Sequence, residues 1–315
     1  MAGHINQRVT ARTAPPRGSE RAESSVFPGQ GLASLARGSL GTGSRNQMAR
    51  LILLLSLLAA IVPAGTRAAI VTAAGDIASC GWTKDTATGD LVRDINPEVA
   101  LTLGDNAYPE GTPGQFANCY DPAWGSFKAK TRPSPGNHDY LTADAAGYFG
   151  YFGTRAGPCC RGYYKYDVGV WRLYSLNSER HIAAQATWLT NDLRTNPHLC
   201  TLGYWHRPRF SDATAHGDST AVDPLWDAFA ANGGDVVLAG HDHSYQRFPL
   251  IDGVRSFVVG TGGAPLYDVV ANRVAAYDDA QRGILRLALR DGSYAWQFRP
   301  VGAETTDTGT AKCRS

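Results

Sequence analysis

Short apolar runs that end in Gly followed by Asp or His recur along this chain. "AAIVTAAGD" (68–76), "VALTLGD" (99–105) and "DVVLAGHDH" (235–243) share this form, and each predicts a buried strand that stops at a polar turn. "VWRLYSLNS" (170–178) alternates apolar and polar positions, the period of a strand, and "LCTLGYWH" (199–206) reads as a strand reaching His206. "TGDLVRDIN" (88–96) predicts a short helix stopping before Pro97. "HIAAQATWLTNDLR" (181–194) puts Ile182, Ala186, Leu189 and Leu193 at helical spacing, and "AVDPLWDAFAANGG" (221–234) is a helix with a glycine stop. "VRSFVVGTGG", "GILRLALR" and "SYAWQFRP" are strand-like, the last two joined by a turn at Asp291–Gly292. Strands alternating with helices, without repeats or an interdomain linker, predict one α/β domain of two face-to-face sheets with helices outside.

Charge and composition sharpen the boundaries. The chain has 315 residues, 43% hydrophobic and 18% charged, the balance of a globular protein. Its net charge of +2 is unevenly spread: residues 1–65 hold seven Arg and two Glu, so the remaining 250 sum to −3. A nucleic-acid binder would show its basic excess on the folded part, so no nucleic-acid partner is expected. Residues 1–47 lack hydrophobic periodicity and read as a disordered extension or a mis-called start. From Met48 the sequence has the layout of a secretory signal peptide (48–69). Arg50 precedes an apolar run from Leu51 to Val62, and small residues from Ala64 to Ala69 follow. Export from Met48 is expected, with no stable membrane insertion after cleavage; the alternative is a signal-anchor. The domain is expected over 70–300, with 301–315 as a C-terminal tail. Six cysteines follow the signal segment, an even number that suits disulfides in an exported chain. The adjacent Cys159 and Cys160 are expected to bond to different partners.

The chemistry lies at the strand ends. They and the loops after them deliver Asp76, Asp105 with Tyr108, Asn137 with His138, His206, and His241 with His243. Leaving His138 aside, this is two carboxylates, a phenol, an amide oxygen and three imidazoles, enough for two metal coordination spheres. Each group alone could be a turn residue or a core histidine; together they point to a site built at the carboxyl ends of strands.

Five ordered blocks carry a resemblance: "GDIA" (75–78), "GDNAY" (104–108), "GNHD" (136–139), "WHRP" (205–208) and "GHDHSYQR" (240–247). This set, with the Gly-rich "VVGTGGAP" (258–265) after it, resembles the calcineurin-like metallophosphoesterase superfamily. More narrowly it resembles the compact, single-domain purple acid phosphatases. Most members of the superfamily have a histidine two positions after the first aspartate; here that position is Ala78, and Tyr108 replaces the missing ligand, as in the purple subgroup. The resemblance implies a four-layer αββα sandwich of two mixed sheets flanked by helices. It places Asp76, Asp105, Tyr108 and His243 on a first metal, and Asp105, Asn137, His206 and His241 on a second, so that Asp105 bridges. A phenolate is a hard donor suited to Fe(III) at the first position, and the more neutral second sphere suits Zn(II), Fe(II) or Mn(II).

The activity so implied is that of an exported phosphatase hydrolysing small phosphomonoesters by attack of a metal-bound hydroxide on phosphorus. His138 and His216 are the candidates to protonate the leaving group; Asp139 and Tyr140 are candidate supports. Arg207 and Arg209, of a type that binds phosphate oxygens bidentately, are left outside the site because surface arginines are common. A phosphodiesterase or nucleotide hydrolase of the same superfamily is the alternative, and a non-hydrolytic metal-dependent binding protein is the alternative of another class. The segment from Gly147 to Arg161 carries no readable motif.

Overall fold

The computed structural model describes residues 67–314; the expected extension and the apolar run of the signal segment lie outside them. The first sheet contains β1 (Ala69–Ala74), β2 (Val99–Leu103), β3 (Thr131–Ser134), β11 (Gly283–Arg290), β12 (Ser293–Pro300) and β13 (Asp307–Lys312). The second contains β4 (Tyr164–Val168), β5 (Trp171–Ser175), β6 (Cys200–Tyr204), β7 (Val236–Ala239), β8 (Tyr245–Ile251), β9 (Val254–Val259) and β10 (Ala276–Asp278). Their orders are β13-β12-β11-β1-β2-β3 and β10-β8-β9-β7-β6-β5-β4. In the first, parallel β1-β2-β3 form one side and antiparallel β11, β12 and β13 the other. In the second, a parallel centre is extended at both ends by antiparallel strands, so both sheets are mixed. Helices α1 (Lys84–Ile95), α2 (Ala146–Phe152), α3 (Ile182–Thr195) and α4 (Asp223–Ala231) flank them. The expected sandwich is the architecture found.

Strand periodicity explains the layers. On β7, Val236 and Leu238 enter the central core shared with Leu101, Leu285 and Phe257, whereas Val237 faces the opposite way, into a cluster with Leu189, Trp226 and Phe229 from α3 and α4. Alternate residues serve opposite faces, and both faces are covered, which is why such strands read as unbroken apolar runs. Each large apolar side chain so buried is worth about 1.5–3 kcal/mol. The layers are therefore held mainly by this continuous core.

Three features depart from the sequence reading. The sheet does not stop at residue 300: β13 pairs with β12 from Ser293↔Lys312 to Phe298↔Asp307, so 301–315 contributes an edge strand. Cys159 and Cys160 bond to each other, because Cys80–Cys119 and Cys200–Cys313 take the other four thiols and a turn closed by the Arg161 N–H on the Pro158 carbonyl brings the pair together. The unreadable stretch from Gly147 lies partly in α2, whose Phe152 packs on Tyr148 and on Phe116 and Tyr120 from the short helical turns at 113–130.

Asp307 anchors the added strand. It accepts hydrogen bonds from Arg247 Nε (2.7 Å) and Nη2 (2.9 Å), Tyr245 Oη (2.6 Å) and Trp296 Nε1 (3.0 Å). Burial alone would raise this carboxyl, but the bonds from Arg247 and Tyr245 outweigh it and hold it below the usual carboxylate range. Its contribution is therefore complete above the unfolded-state value, near pH 4, and fades as pH falls through the lower folded value. Asp307→Ala is expected to lower the unfolding free energy by about 2 kcal/mol at neutral pH, and by less at pH 2, in urea titrations at both pH values.

Candidate metal centre

Three strand ends finish alike. After β1, β2 and β7 a glycine is followed by Asp76 (φ 60°), Asp105 (φ 48°) and His241 (φ 69°), all in the left-handed region that non-glycine residues rarely enter. Such backbone persists where the surroundings enforce it, commonly at functional sites. Here Asp76 N–H donates to the Gly104 carbonyl (3.1 Å) and Ile77 N–H to that of Asp105 (3.0 Å), fastening the first two turns together. The turns are tight because glycines allow it: a Cβ on Gly136 would lie 2.2 Å from Asp105 Oδ1, and one on Gly104 2.4 Å from His206 Nδ1.

The seven residues expected as ligands converge. Tyr108 Oη lies 3.0 Å from Asp76 Oδ1, 3.1 Å from Asp105 Oδ2 and 3.2 Å from His243 Nε2. On the other side of Asp105, His206 Nε2 is 3.2 Å from Asp105 Oδ2, 3.0 Å from Asn137 Oδ1 and 3.2 Å from His241 Nδ1. Asp105 therefore touches both groups. Asp105, His206 and His241 by themselves have the mutual spacing of a cation site. Backbone acceptors fix two of the rings by their far nitrogens: His206 Nδ1 lies 2.8 Å from the Leu103 carbonyl, and His243 Nδ1 2.8 Å from that of Pro265. Hydrogen bonds of this kind orient a metal-ligating imidazole.

The electrostatics fit a cation. Burial alone would raise the Asp105 carboxyl, but His206 beside it holds it well below the usual range. Burial likewise would lower His206, and Asp105 instead pushes it up to about 10. Burial and the positive charges of His206 and Arg207 push His241 down. Burial and the Asp76 and Asp105 carboxylates push the Tyr108 phenol well up. Two buried carboxylates and five further donors face one another at hydrogen-bond range, and positive charge at their centre would relieve that crowding.

Around this centre lie the other expected residues. His138 rests on the Tyr108 ring (centroids 4.5 Å apart), with Nδ1 2.6 Å from the Pro109 carbonyl. Exposed His216 stacks on His241 at 4.2 Å. Asp139 is fully buried and accepts from Asn106 Nδ2 (2.9 Å) and Gly136 N–H (2.9 Å), pinning the 136–139 turn to the loop after β2. Tyr140 Oη accepts from Asn177 Nδ2 (2.8 Å), away from the ligand atoms. Four residues missing from the expected site also border it: Trp82 on Tyr108 (5.0 Å), Tyr267 stacked on His243 (4.1 Å), and the Arg207–Glu179 pair against His241. Arg207 stands in the "WHRP" block, next to His206; no spacing in the sequence joins Trp82, Glu179 or Tyr267 to the five blocks, and only the fold does.

Comparison with known proteins agrees. A family model for calcineurin-like phosphoesterases matches residues 50–245, a span holding all seven converging side chains. The chain belongs to the calcineurin-like phosphoesterase family. Within it, the chain is 28% identical over 206 residues to purple acid phosphatase 21 of Arabidopsis thaliana, covering 56% of this chain and 44% of that protein. Purple acid phosphatase PPD1 from yellow lupin (Lupinus luteus) seeds has the same fold, with a TM-score of 0.66 and 17% identity over 78% of this chain and 53% of that one. So does GAP50, the anchor in the inner membrane complex of Plasmodium, at a TM-score of 0.62 and 10% identity over 79% and 90%. The chain spans about half the length of the two purple acid phosphatases. This calcineurin-like phosphoesterase thus has the resemblance to purple acid phosphatases implied by Tyr108.

Proposed function

We propose that this calcineurin-like phosphoesterase is an exported phosphatase that hydrolyses small phosphomonoesters at a binuclear metal centre. The observation that carries the reading is the placement of Tyr108, whose hydroxyl meets Asp76, Asp105 and His243 within 3.0 to 3.2 Å. Asp76, Asp105, Tyr108 and His243 would hold the first ion; Asp105, Asn137, His206 and His241 would hold the second. When bound, such a pair lowers the pKa of a water and balances the charge that builds on phosphoryl oxygens. The rest belongs to the chain. Asp105 spans the two groups, Asp139 fixes the turn that carries Asn137, and the rings of His138 and His216 rim the opening where a leaving group would depart.

Three disulfides, with no free cysteine among the described residues, suit an oxidising compartment. No helix among the described residues is long and apolar enough to cross a membrane. The fold is shared with an anchor protein and by itself fixes no function. The complete donor set favours hydrolysis.

The experiment compares p-nitrophenyl phosphate with its bis ester on the purified protein. Faster release from the monoester is expected, and the reverse ratio would assign the protein to the diesterases. Fe(III) at the first position would give a visible phenolate charge-transfer band that Tyr108→Phe removes; an active, iron-free, colourless protein would exclude this metal. His216→Asn is expected to cost roughly tenfold to a thousandfold on glycerol phosphate and less on p-nitrophenyl phosphate. A poor leaving group depends most on protonation. Equal losses on both esters would make His216 a binding or loop residue.

A further inference from the structure

The Arg207–Glu179 pair lies outside the seven converging residues yet touches one of them. Glu179 is 10% exposed in its side chain, an uncommon position for a carboxylate unless it is paired. Arg207 Nε donates to both its oxygens, at 2.9 and 3.1 Å, and the Ser178 hydroxyl donates to Oε1 at 3.0 Å. Ser178 in turn accepts the Arg207 backbone N–H at 3.1 Å, so side chain and backbone of Arg207 are fixed by one loop. That loop is itself rigid. Asn177 Oδ1 accepts the N–H groups of Glu179 (2.9 Å) and Arg180 (3.2 Å), while fully buried Gln185 clasps the Asn177 backbone through Oε1 (2.8 Å) and Nε2 (2.7 Å).

This clamp spends only the Nε–H of the guanidinium. Nη1 lies 3.1 Å from His241 Nε2; one further hydrogen on Nη1 and both on Nη2 have no partner among the described residues, and the side chain is 30% exposed. Arginine only donates, so the present contact needs a lone pair on His241 Nε2. His241 turns its other nitrogen, Nδ1, toward His206 and Asp105. A neutral imidazole that ligates through Nδ1 carries its proton on Nε2. It would then meet Arg207 donor to donor, and Nη1 would be released to an acceptor on the same face. His216, stacked on His241, borders that face as well.

We propose that Arg207 is a substrate-binding residue that takes a phosphoryl oxygen beside His241, and that Glu179 is the positioning residue that aims it. The proposal rests on the phosphatase reading above. Half-buried Arg209 does not compete for the role, because its guanidinium is paired with Asp223 and lies within 4 Å of Asp218.

The test is orthophosphate binding to the metal-loaded protein by calorimetry, with metal content measured on each variant. Arg207→Met is expected to weaken orthophosphate about tenfold to a hundredfold, the range for losing a charge-assisted hydrogen bond, and to raise KM more than it lowers kcat. Arg207→Lys, which keeps the charge, should fall between wild type and Met. Glu179→Gln should weaken orthophosphate less than Arg207→Met does, and should add nothing in the Arg207→Met background. Wild-type affinity in metal-replete Arg207→Met, or a further full loss from Glu179→Gln in that background, would overturn the proposal while leaving the phosphatase reading intact. If Arg207→Met fails to fold, the lysine variant decides: unchanged phosphate affinity together with unchanged KM would overturn it. A wild-type protein that binds metals but neither orthophosphate nor esters would remove the phosphatase reading itself.

Discussion

Asp105→Ala is expected to abolish ester hydrolysis, by about a thousandfold or more. Removing even a group that supports a ligand commonly costs tenfold to a hundredfold, and Asp105 is the carboxylate that touches both groups of converging side chains. Its Oδ2 sits 3.1 Å from Tyr108 Oη and 3.2 Å from His206 Nε2, while Oδ1 accepts the His138 N–H at 2.8 Å. The substitution therefore opens both groups and loosens the 136–139 turn. Metal content should fall along with activity. Stability should fall as well. In metal-free protein Asp105 is paired with the buried His206, so the substitution strips that imidazole of its partner carboxylate and should lower the melting temperature. Near-normal activity in Asp105→Ala would mean that this residue bridges nothing.

The second large effect is on stability. Cys200 opens β6 in the second sheet, and Cys313 follows β13 in the first, so their bond joins the two sheets across a sequence separation of 113. In the chain-entropy picture a loop of this length is worth about 4–5 kcal/mol, roughly 1 kcal/mol more than the loop closed by Cys80 and Cys119. The double variant Cys200→Ala, Cys313→Ala should show that loss as a lower midpoint in urea, with β13 the first segment to exchange its amide protons. A midpoint within about 1 kcal/mol of wild type would mean either that the pair is not formed or that β13 is held by Asp307 alone.

Much of the cluster of converging side chains was legible because several of them sit at a recognisable kind of position. Asp76, Asp105 and His241 each follow a glycine at the end of an apolar run, and a fold with parallel strands brings such ends together. His206 was legible as the end of an apolar strand and Asn137 through the "GNHD" block, and the helices α3 and α4 were marked by spacing and stops. What the sequence hid depends on distant pairing. Glu179 and Arg207 are 28 residues apart, and neither carries a motif that names the other. Strand β3 contains Pro133, which argues against a strand in the middle of a sheet; it is tolerated because β3 is an edge strand. Strand β13, "DTGTAK", is polar and short, the composition of a protected edge and equally that of a tail. The helical turns at 113–130 are too short to show a period, and Pro113 and Pro122 each lie in the first turn of a short helix.

The binuclear centre is tested most directly by metal analysis of purified, active protein. Two ions per chain are expected in wild type, with Asn137→Ala retaining fewer and losing activity in proportion. One ion per chain in fully active protein would contradict the assignment of seven side chains to two sites joined through Asp105.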